Sequence, residues 1–416
     1  MSVYQNSLKI KYLEASSHNT AKTEFRIPNN TYALPNLRLA NVGVYGTVGT
    51  TSKIGVTSLI KNISILSDRT VIDSLRNANH YESFRQLTQS NAMNKNIYKY
   101  LNNCDIGYNI DKGQQVTPQV SQSATTVLLD ETALGMVELP ALLSILNEDT
   151  LILDTNKFKN LSVVIEWEQN QMNYLHDATN GAYTIAQPTL IYDELINPVE
   201  GKALSGKMQN FNFTSIEHDS INLPNGNATA PAQQAIKRLF KAFQDKYIGR
   251  MVLIKQFANL LINNDTGTNV IRGKGYYGSP VQWKENINFI VNSVPMFESD
   301  ELSNDAVKSY ITGQTYGALN SMPYENTSAV GSDDKNGTLQ NFTGIPEDLN
   351  TIGMSSYLGV RVQKKIKNLE LHYSRQTVTD TNAVLKRYNE ELVLHLYCEV
   401  SKQLIFNNGQ FIVSYL

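Results

Sequence analysis

A fold dominated by β-strands, built as two tandem eight-stranded jelly rolls with a few inserted helices, is predicted by three observations on this 416-residue chain. Short apolar runs and period-2 alternation, bounded by Asn, Gly, Asp and Pro, outnumber stretches with helical spacing. One strand-opening pattern occurs twice: Phe158-Lys159-Asn160-Leu161 leads into Ser-Val-Val-Ile-Glu-Trp, and Ile366-Lys367-Asn368-Leu369 leads into Glu-Leu-His-Tyr. Lys159 and Lys367 lie 208 positions apart, half of 416. The length exceeds what one hydrophobic core serves, so two units of about 200 residues are the natural division. Many strands with few helices and long loops suit sheets folded face to face, and two such sandwiches in one chain make a double jelly roll.

Taken in order, the first half is predicted to hold strands at 23–27, 37–45, 59–66, 127–130, 151–154, 161–167 and 189–195. Residues 63–75 read as a hairpin turning at 67–70, where Asp68 accepts local backbone hydrogen bonds. Tyr81, Phe84, Leu87, Ile97 and Leu101 have broadly helical spacing over 77–101, and Pro140 opens a further turn or two over 139–146. The second half is predicted to hold strands at 211–216, 247–254, 287–294, 369–373, 392–400 and 411–415. Between them 230–243 reads as a helix: Thr229 caps it, Pro231 sits in the first turn, and Ile236, Leu239, Phe240 and Phe243 make one apolar face. Each half thereby carries one long inserted helix. Asn408-Gly409 is the strongest hairpin signal in the chain, within a C-terminal hairpin over 403–416. Residues 296–357, poor in large aliphatics and rich in Gly, Ser, Asn and Asp, read as long loops of the kind that carry function. The rolls are divided at Asn197-Pro198, giving 21–198 and 199–416, with 1–20 as an N-terminal arm suited to packing on a neighbour.

Composition narrows the function. With 36 basic and 38 acidic residues the net charge is −2, without the basic excess or stripe of a nucleic-acid binder, so sequence-specific nucleic-acid binding is not expected. Lys364, Lys365 and Lys367 form the densest basic cluster and read as a solvated turn before a strand. Hydrophobic residues at 41% and charged residues at 18% describe an ordinary globular interior. Cys104 and Cys398 are too few and too distant for a disulfide framework, which points to a reducing compartment. No apolar stretch approaches the ~18 residues of a membrane span and no leader pattern opens the chain, so a soluble intracellular product is expected.

No catalytic, cofactor or metal site is expected. His18, His80, His176, His218, His372 and His395 are scattered without helical metal-site spacing. Glu217-His218-Asp219 reads as a polar turn after a strand, and His372 and His395 as hydrogen-bonded or exposed rings in strands. Residues 273–278 lack the Walker pattern, 331–337 lack EF-hand spacing, and no nucleophile elbow occurs. Glu166, Glu168, Asp193 and Glu194 are the one set imaginable as paired carboxylates of a glycosidase. Strand alternation puts Val163, Ile165 and Trp167 on the core face and Glu166 with Glu168 on the other, as solvent or interface groups. The 22 Tyr residues suit a structural role, because Tyr covers apolar area and keeps a polar tip. Tyr276, Tyr277, Tyr310, Tyr316 and Tyr324 in the long loops are candidate interface anchors, with packing inside one subunit an equal alternative.

Several patches also resemble a known family. Gly55-Val-Thr-Ser-Leu-Ile-Lys-Asn-Ile-Ser-Ile-Leu66, running into Val71-Ile-Asp-Ser-Leu75, resembles the early strand pair of double-jelly-roll major capsid proteins of polinton-like viruses, polintons and virophages. Glu138-Leu-Pro-Ala-Leu-Leu-Ser-Ile-Leu146 and the strand ending at Trp167 are similar to that family's short helix and following strand. Gln187-Pro-Thr-Leu-Ile-Tyr-Asp-Glu194 resembles the strand closing the first roll, and Leu404-Ile-Phe-Asn-Asn-Gly-Gln410 the C-terminal hairpin. Residues 258–360 carry no such likeness. The resemblance implies a homotrimer whose six rolls form a pseudo-hexagonal capsomer, in an icosahedral virion with penton and minor or cement proteins as further partners. It further implies production in the host cytoplasm or nucleus, no enzyme activity and no cofactor, and it leaves contact with an internal membrane open. The alternative from another class is a tandem β-sandwich lectin or adhesin.

Overall fold

The computed structural model describes residues 8–46, 55–89, 121–123, 134–169, 183–226, 233–258, 261–263, 269–271, 285–298, 305–316, 357–377, 389–407 and 410–416. Beside short strands of two or three residues, eight principal strands form the first unit: β1 (Leu8–Glu14), β2 (Lys22–Arg26), β3 (Arg38–Val42), β4 (Ile60–Ser67), β5 (Thr70–Arg76), β6 (Gly135–Glu138), β7 (Ser162–Trp167) and β8 (Thr189–Leu195). Eight more form the second: β9 (Phe211–Leu223), β10 (Gln233–Leu239), β11 (Tyr247–Phe257), β12 (Glu285–Val291), β13 (Val294–Pro295), β14 (Tyr357–Lys365), β15 (Leu369–Gln376) and β16 (Leu392–Asn407). A further strand, β17 (Gln410–Tyr415), folds back on β16.

The two units are the same design. In the first, antiparallel pairing gives one sheet in the order β1-β8-β3-β6 and another in the order β2-β7-β4-β5. In the second the orders are β9-β16-β11-β14 and β10-β15-β12-β13, so every strand occupies the place of the strand eight earlier. This is the jelly-roll order twice over. Among the described residues three α-helices join the strands: α1 (Ala78–Gln89) between β5 and β6, α2 (Pro198–Gly206) between the units, and α3 (Asp305–Tyr316) between β13 and β14. Helices α1 and α3 therefore sit in equivalent connections.

The repeated Lys-Asn-Leu turn has a structural reason. In the first roll Asp68 N donates to Lys159 O at 2.8 Å, and Asn160 Nδ2 donates to Asp68 Oδ1 at 2.6 Å. In the second, Asn292 N donates to Asn368 O at 2.9 Å, and Lys367 N donates to Asn292 Oδ1 at 2.7 Å. Each copy thus clasps the β4–β5 or β12–β13 hairpin turn to the start of β7 or β15. The turns need left-handed backbone, supplied by Asp68 (φ 52°) and Asn160 (φ 49°) in one roll and Asn292 (φ 53°) in the other.

Four expectations are corrected. Residues 233–239 form strand β10, paired with β15, rather than a helix. Phe240 and Phe243 reach the core from the turn after it, while Leu239 is exposed, so the apparent helical face was never one surface. The helix of the second roll is α3, inside the stretch read as loop. Residues 8–14 are not an arm for a neighbour: they pair along the whole of β8, from Leu8 opposite Leu195 to Glu14 opposite Thr189. The segment 217–219 lies within the 13-residue β9 rather than in a turn. The predicted strand at 127–130 and residues 90–101 of the first predicted helix lie outside the described residues.

The second roll has its own core, with Leu223, Phe243, Met251, Phe289, Leu371 and Leu394 among its members. The core of the first continues across the junction into Phe211, Phe213, Val252, Ile254, Tyr397 and Leu404 of the second. Strand β16 shows why: Leu394, Leu396 and Cys398 face its own roll while His395 and Tyr397 face the first, so 394–398 is buried on both sides.

Candidate functional site

The most elaborated surface of the molecule is the seam where the outer face of β9, β11, β14 and β16 meets β5 and α1 of the first roll. Aromatic contacts fill it. Tyr81 packs on Tyr397 with ring centroids 5.2 Å apart, Phe84 meets Tyr316 edge-on at 4.9 Å and Tyr357 at 5.3 Å, and Phe158 lies 5.0 Å from Phe411. Tyr397 Oη donates to Asn77 O at 2.9 Å, tying β16 to the start of α1.

Three histidines from distant parts of the chain converge there. The Asn77 amide donates to His218 Nδ1 at 3.3 Å, which leaves His218 Nε2 to donate to His395 Nδ1 at 3.0 Å. His395 Nε2 in turn donates to Gln256 Oε1 at 3.1 Å, so a single neutral tautomer at each ring satisfies the row. His80 stacks on His395 with centroids 4.7 Å apart. Burial holds His80 down to about 4 and His218 to about 3, and with the neighbouring rings holds His395 well below its ordinary value. Chemically the row is a set of uncharged hydrogen-bonding groups holding two sheets together.

A second polar tie crosses the same seam. Asp73 of β5 is fully buried, and its carboxylate accepts from Ser215 Oγ of β9 at 2.6 Å and from Ile145 N at 3.1 Å. Burial raises its pKa, against the pull of those bonds and of Lys402, which donates to Ser215 Oγ at 3.2 Å. Glu217, held below the usual carboxylate range despite its burial, pairs with Lys246 at 2.6 Å and Lys402 at 3.0 Å. Inside the second roll, Glu285 of β12 takes Lys255 of β11 at 2.6 Å, Lys308 of α3 and the hydroxyl of Tyr373 at 2.9 Å, and all three charged groups are buried. This cluster docks α3 onto its roll.

The carboxylates considered for hydrolysis do not meet. Glu166 sits on β7 and accepts from Asn62 at 2.6 Å, whereas Asp193 and Glu194 belong to β8 in the other sheet and engage Arg38 and Lys11. Glu168 corrects its expected solvent position: β7 ends at Trp167, and Glu168 turns inward to 2% exposure, accepting from Asn79 at 3.1 Å. Val163, Ile165 and Trp167 line the core as expected. Cys398 is buried, which pushes its thiol up. Among the described residues no cluster of His, Cys, Asp or Glu is arranged to hold a metal ion, and no helix is long and apolar enough to cross a membrane.

Of the candidate anchors, Tyr310 on α3 is 58% exposed and available to a partner. Tyr316 is not: it ends α3 rather than lying in a loop, is 7% exposed, and stacks under Arg250 at 4.6 Å. Tyr276, Tyr277 and Tyr324 lie outside the described residues. The seam was invisible to sequence reasoning because positions 80, 218 and 395 share no spacing; the pairing of β9 with β16, which sets Ser220 opposite His395, brings two of them together, and the packing of α1 on β16 adds His80.

No protein-family model matches the chain, and no curated protein matches it. Solved structures do. VP54 of PBCV-1, in a crystal structure fitted into a cryo-EM reconstruction of the virophage Sputnik, aligns over 98% of this chain and 97% of its own at TM-score 0.59 and 11% identity. The PBCV-1 virus capsid aligns over the same shares at TM-score 0.57 and 12% identity. The Sputnik virophage structure aligns over 98% of this chain and 88% of its own at TM-score 0.53 and 10% identity. At such identities the likeness is one of fold, the double jelly roll, along nearly the whole chain.

Proposed function

We propose that this chain is a viral major capsid protein that assembles as a homotrimer, its six rolls forming a pseudo-hexagonal capsomer that tiles an icosahedral shell. The observation that carries the reading is the duplicated roll itself: two copies of one strand order, joined by a buried seam into a rigid block whose chemistry is all structural. A block that presents the same design twice closes about a threefold axis through heterologous contacts and offers six similar sides to its neighbours. Obligate interfaces of that kind bury more than about 2,000 Å² and need neither disulfides nor metals. The capsid structures that share the fold support this reading. It makes the chain a component of the virion shell, made in the host cytoplasm or nucleus, without enzyme activity. Its partners are further copies of itself, neighbouring capsomers, and penton and minor proteins. No observation favours the lectin alternative. Electron microscopy of the expressed protein tests the proposal: hexagonal capsomers or closed shells are the expected result, and isolated two-lobed particles at every concentration would count against it.

A further inference from the structure

Beside the histidine row lies a half-open groove of about 540 Å³, lined by β4, β5 and β7 of the first roll and by 218–220 of β9 from the second. Ile63, Leu75 and Ile165 are buried in the core, so alternation turns Asn62, Ser64, Ser74, Arg76, Val164 and Glu166 to the outer face of that sheet. Register sets them in two rows: Glu166 beside Asn62 beside Arg76, and Val164 beside Ser64 beside Ser74. Lys61 joins them through an irregularity. Trp167 pairs with Ile60 and Glu166 with Asn62, which makes Lys61 the extra residue of a bulge and brings it into the groove near Arg76.

The polar groups of this groove are largely unused. Among the described residues neither Lys61 nor Arg76 makes a hydrogen bond or an ion pair, and the hydroxyls of Ser64, Ser74 and Ser220 bond to no other group. Glu166 gives one oxygen to Asn62 at 2.6 Å and Asp219 one to Ser220 N at 2.8 Å, which leaves each carboxylate a second oxygen without a partner among the described residues. Two neighbouring bases with no acid paired to either suit an anion that carries two charges. A phosphomonoester carries about −1.5 to −2 at pH 7, and a guanidinium with an ammonium matches its oxygens. Inorganic phosphate alone would leave the two carboxylates facing a negative charge, and a neutral polyol would leave both bases unneutralised. A phosphate on a hydroxylated skeleton answers all of them, its hydroxyls donating to Glu166 and Asp219 and accepting from the serines. The volume suits a molecule between ribose phosphate and a mononucleotide in size, and exceeds what a bare ion fills.

We propose that this groove binds a small phosphomonoester whose skeleton bears hydroxyls, a sugar phosphate or a mononucleotide. Every lining residue belongs to one chain, so the site exists in monomer and capsomer alike, and its failure would leave the capsid reading untouched. The test is isothermal titration of the full chain at pH 7.5 and low salt with ribose 5-phosphate, AMP, adenosine and inorganic phosphate. Ribose 5-phosphate and AMP are expected to bind with dissociation constants of about 0.1–1 mM, and inorganic phosphate and adenosine at least about tenfold more weakly. Equal affinity for the first two places recognition in the sugar phosphate, and tighter binding of AMP extends it to the base. Lys61→Ala and Arg76→Ala are each expected to lose about tenfold while keeping the wild-type mass and melting midpoint, whereas K364A/K365A, outside the groove, binds as wild type. Absence of binding by both phosphomonoesters at about 10 mM, inorganic phosphate or adenosine bound as tightly as AMP, or wild-type binding by Arg76→Ala would each overturn it. The titrations of the wild type decide the matter even where a variant fails to fold.

Discussion

His218 Nε2 donates to His395 Nδ1 across 3.0 Å at the seam between the two rolls, and His80 stacks on the same His395 ring. The row accepts no extra proton without losing an acceptor: a charged His395 would turn two donors toward each other. Of the charged side chains around the rings, Lys61 of β4 acts on His80 and Arg76 of β5 on His218, while Asp219 follows His218 on β9.

Stability should therefore fall on acidification. A histidine whose folded pKa is depressed contributes stability that is complete above its ordinary value of 6.5 and is lost as pH falls toward the folded value, about 4 for His80 and about 3 for His218. Each pH unit in that window costs about 1.4 kcal/mol per buried ring, so His80 alone removes about 2 kcal/mol by pH 5. Asp73, whose carboxyl is raised by burial, works in the opposite sense and offsets part of this. Urea denaturation at pH 7.5 and pH 5 should show the drop, and His395→Gln should flatten its slope. An unchanged slope in that variant would remove the row from the account.

Asp73→Ala should destabilise by about 3–5 kcal/mol, because the Ser215 hydroxyl and Ile145 N lose a shared buried acceptor and Lys402 loses a nearby negative charge. Asp73→Asn should recover part of the loss. Denaturation midpoints of both variants, followed by the fluorescence of Trp167 and Trp283, decide the matter.

The clasp predicts a backbone effect. Asn160→Ala should cost about 1–2 kcal/mol, since Ala resists φ 49° and leaves Asp68 without its amide donor. Asn160→Gly should cost less, as it keeps the backbone conformation and loses only the side-chain bond. Equal losses in thermal melts of the two variants would show that the left-handed turn is not what the motif supplies.

Glu285→Ala should cost about 3–5 kcal/mol, because it removes the buried carboxylate shared by Lys255, Lys308 and the Tyr373 hydroxyl. The loss should first appear as local opening of α3. Hydrogen exchange of residues 305–316 faster than that of β16 is the expected observation; protection of both equal to wild type would contradict it.

Much of this architecture was legible in the residues. The alternation of Thr189 to Leu195, closed by Asn197-Pro198, marks β8 to the residue, and Asp68 marks the first hairpin turn. The misreadings have physical causes. Helix α3 buries Lys308, Thr312 and Thr315 through hydrogen bonds, so it shows no apolar stripe to read. Strand β1 pairs on one side with β8 and exposes both Ile10 and Tyr12, which gave residues 8–14 the look of an arm. In 233–243 the spacing of Ile236, Phe240 and Phe243 imitated a helix because a strand and its following turn were read as one element. The seam lay beyond reach of pattern, because its partners come from α1, β9, β11 and β16.

The central claim is that this duplicated roll exists to assemble, and the mass of the purified chain in solution tests it most directly. Size-exclusion chromatography with light scattering should give three times the chain mass, unchanged on dilution from micromolar to tens of nanomolar, concentrations far above the dissociation constants expected of obligate interfaces. A monodisperse monomer across that range would contradict it.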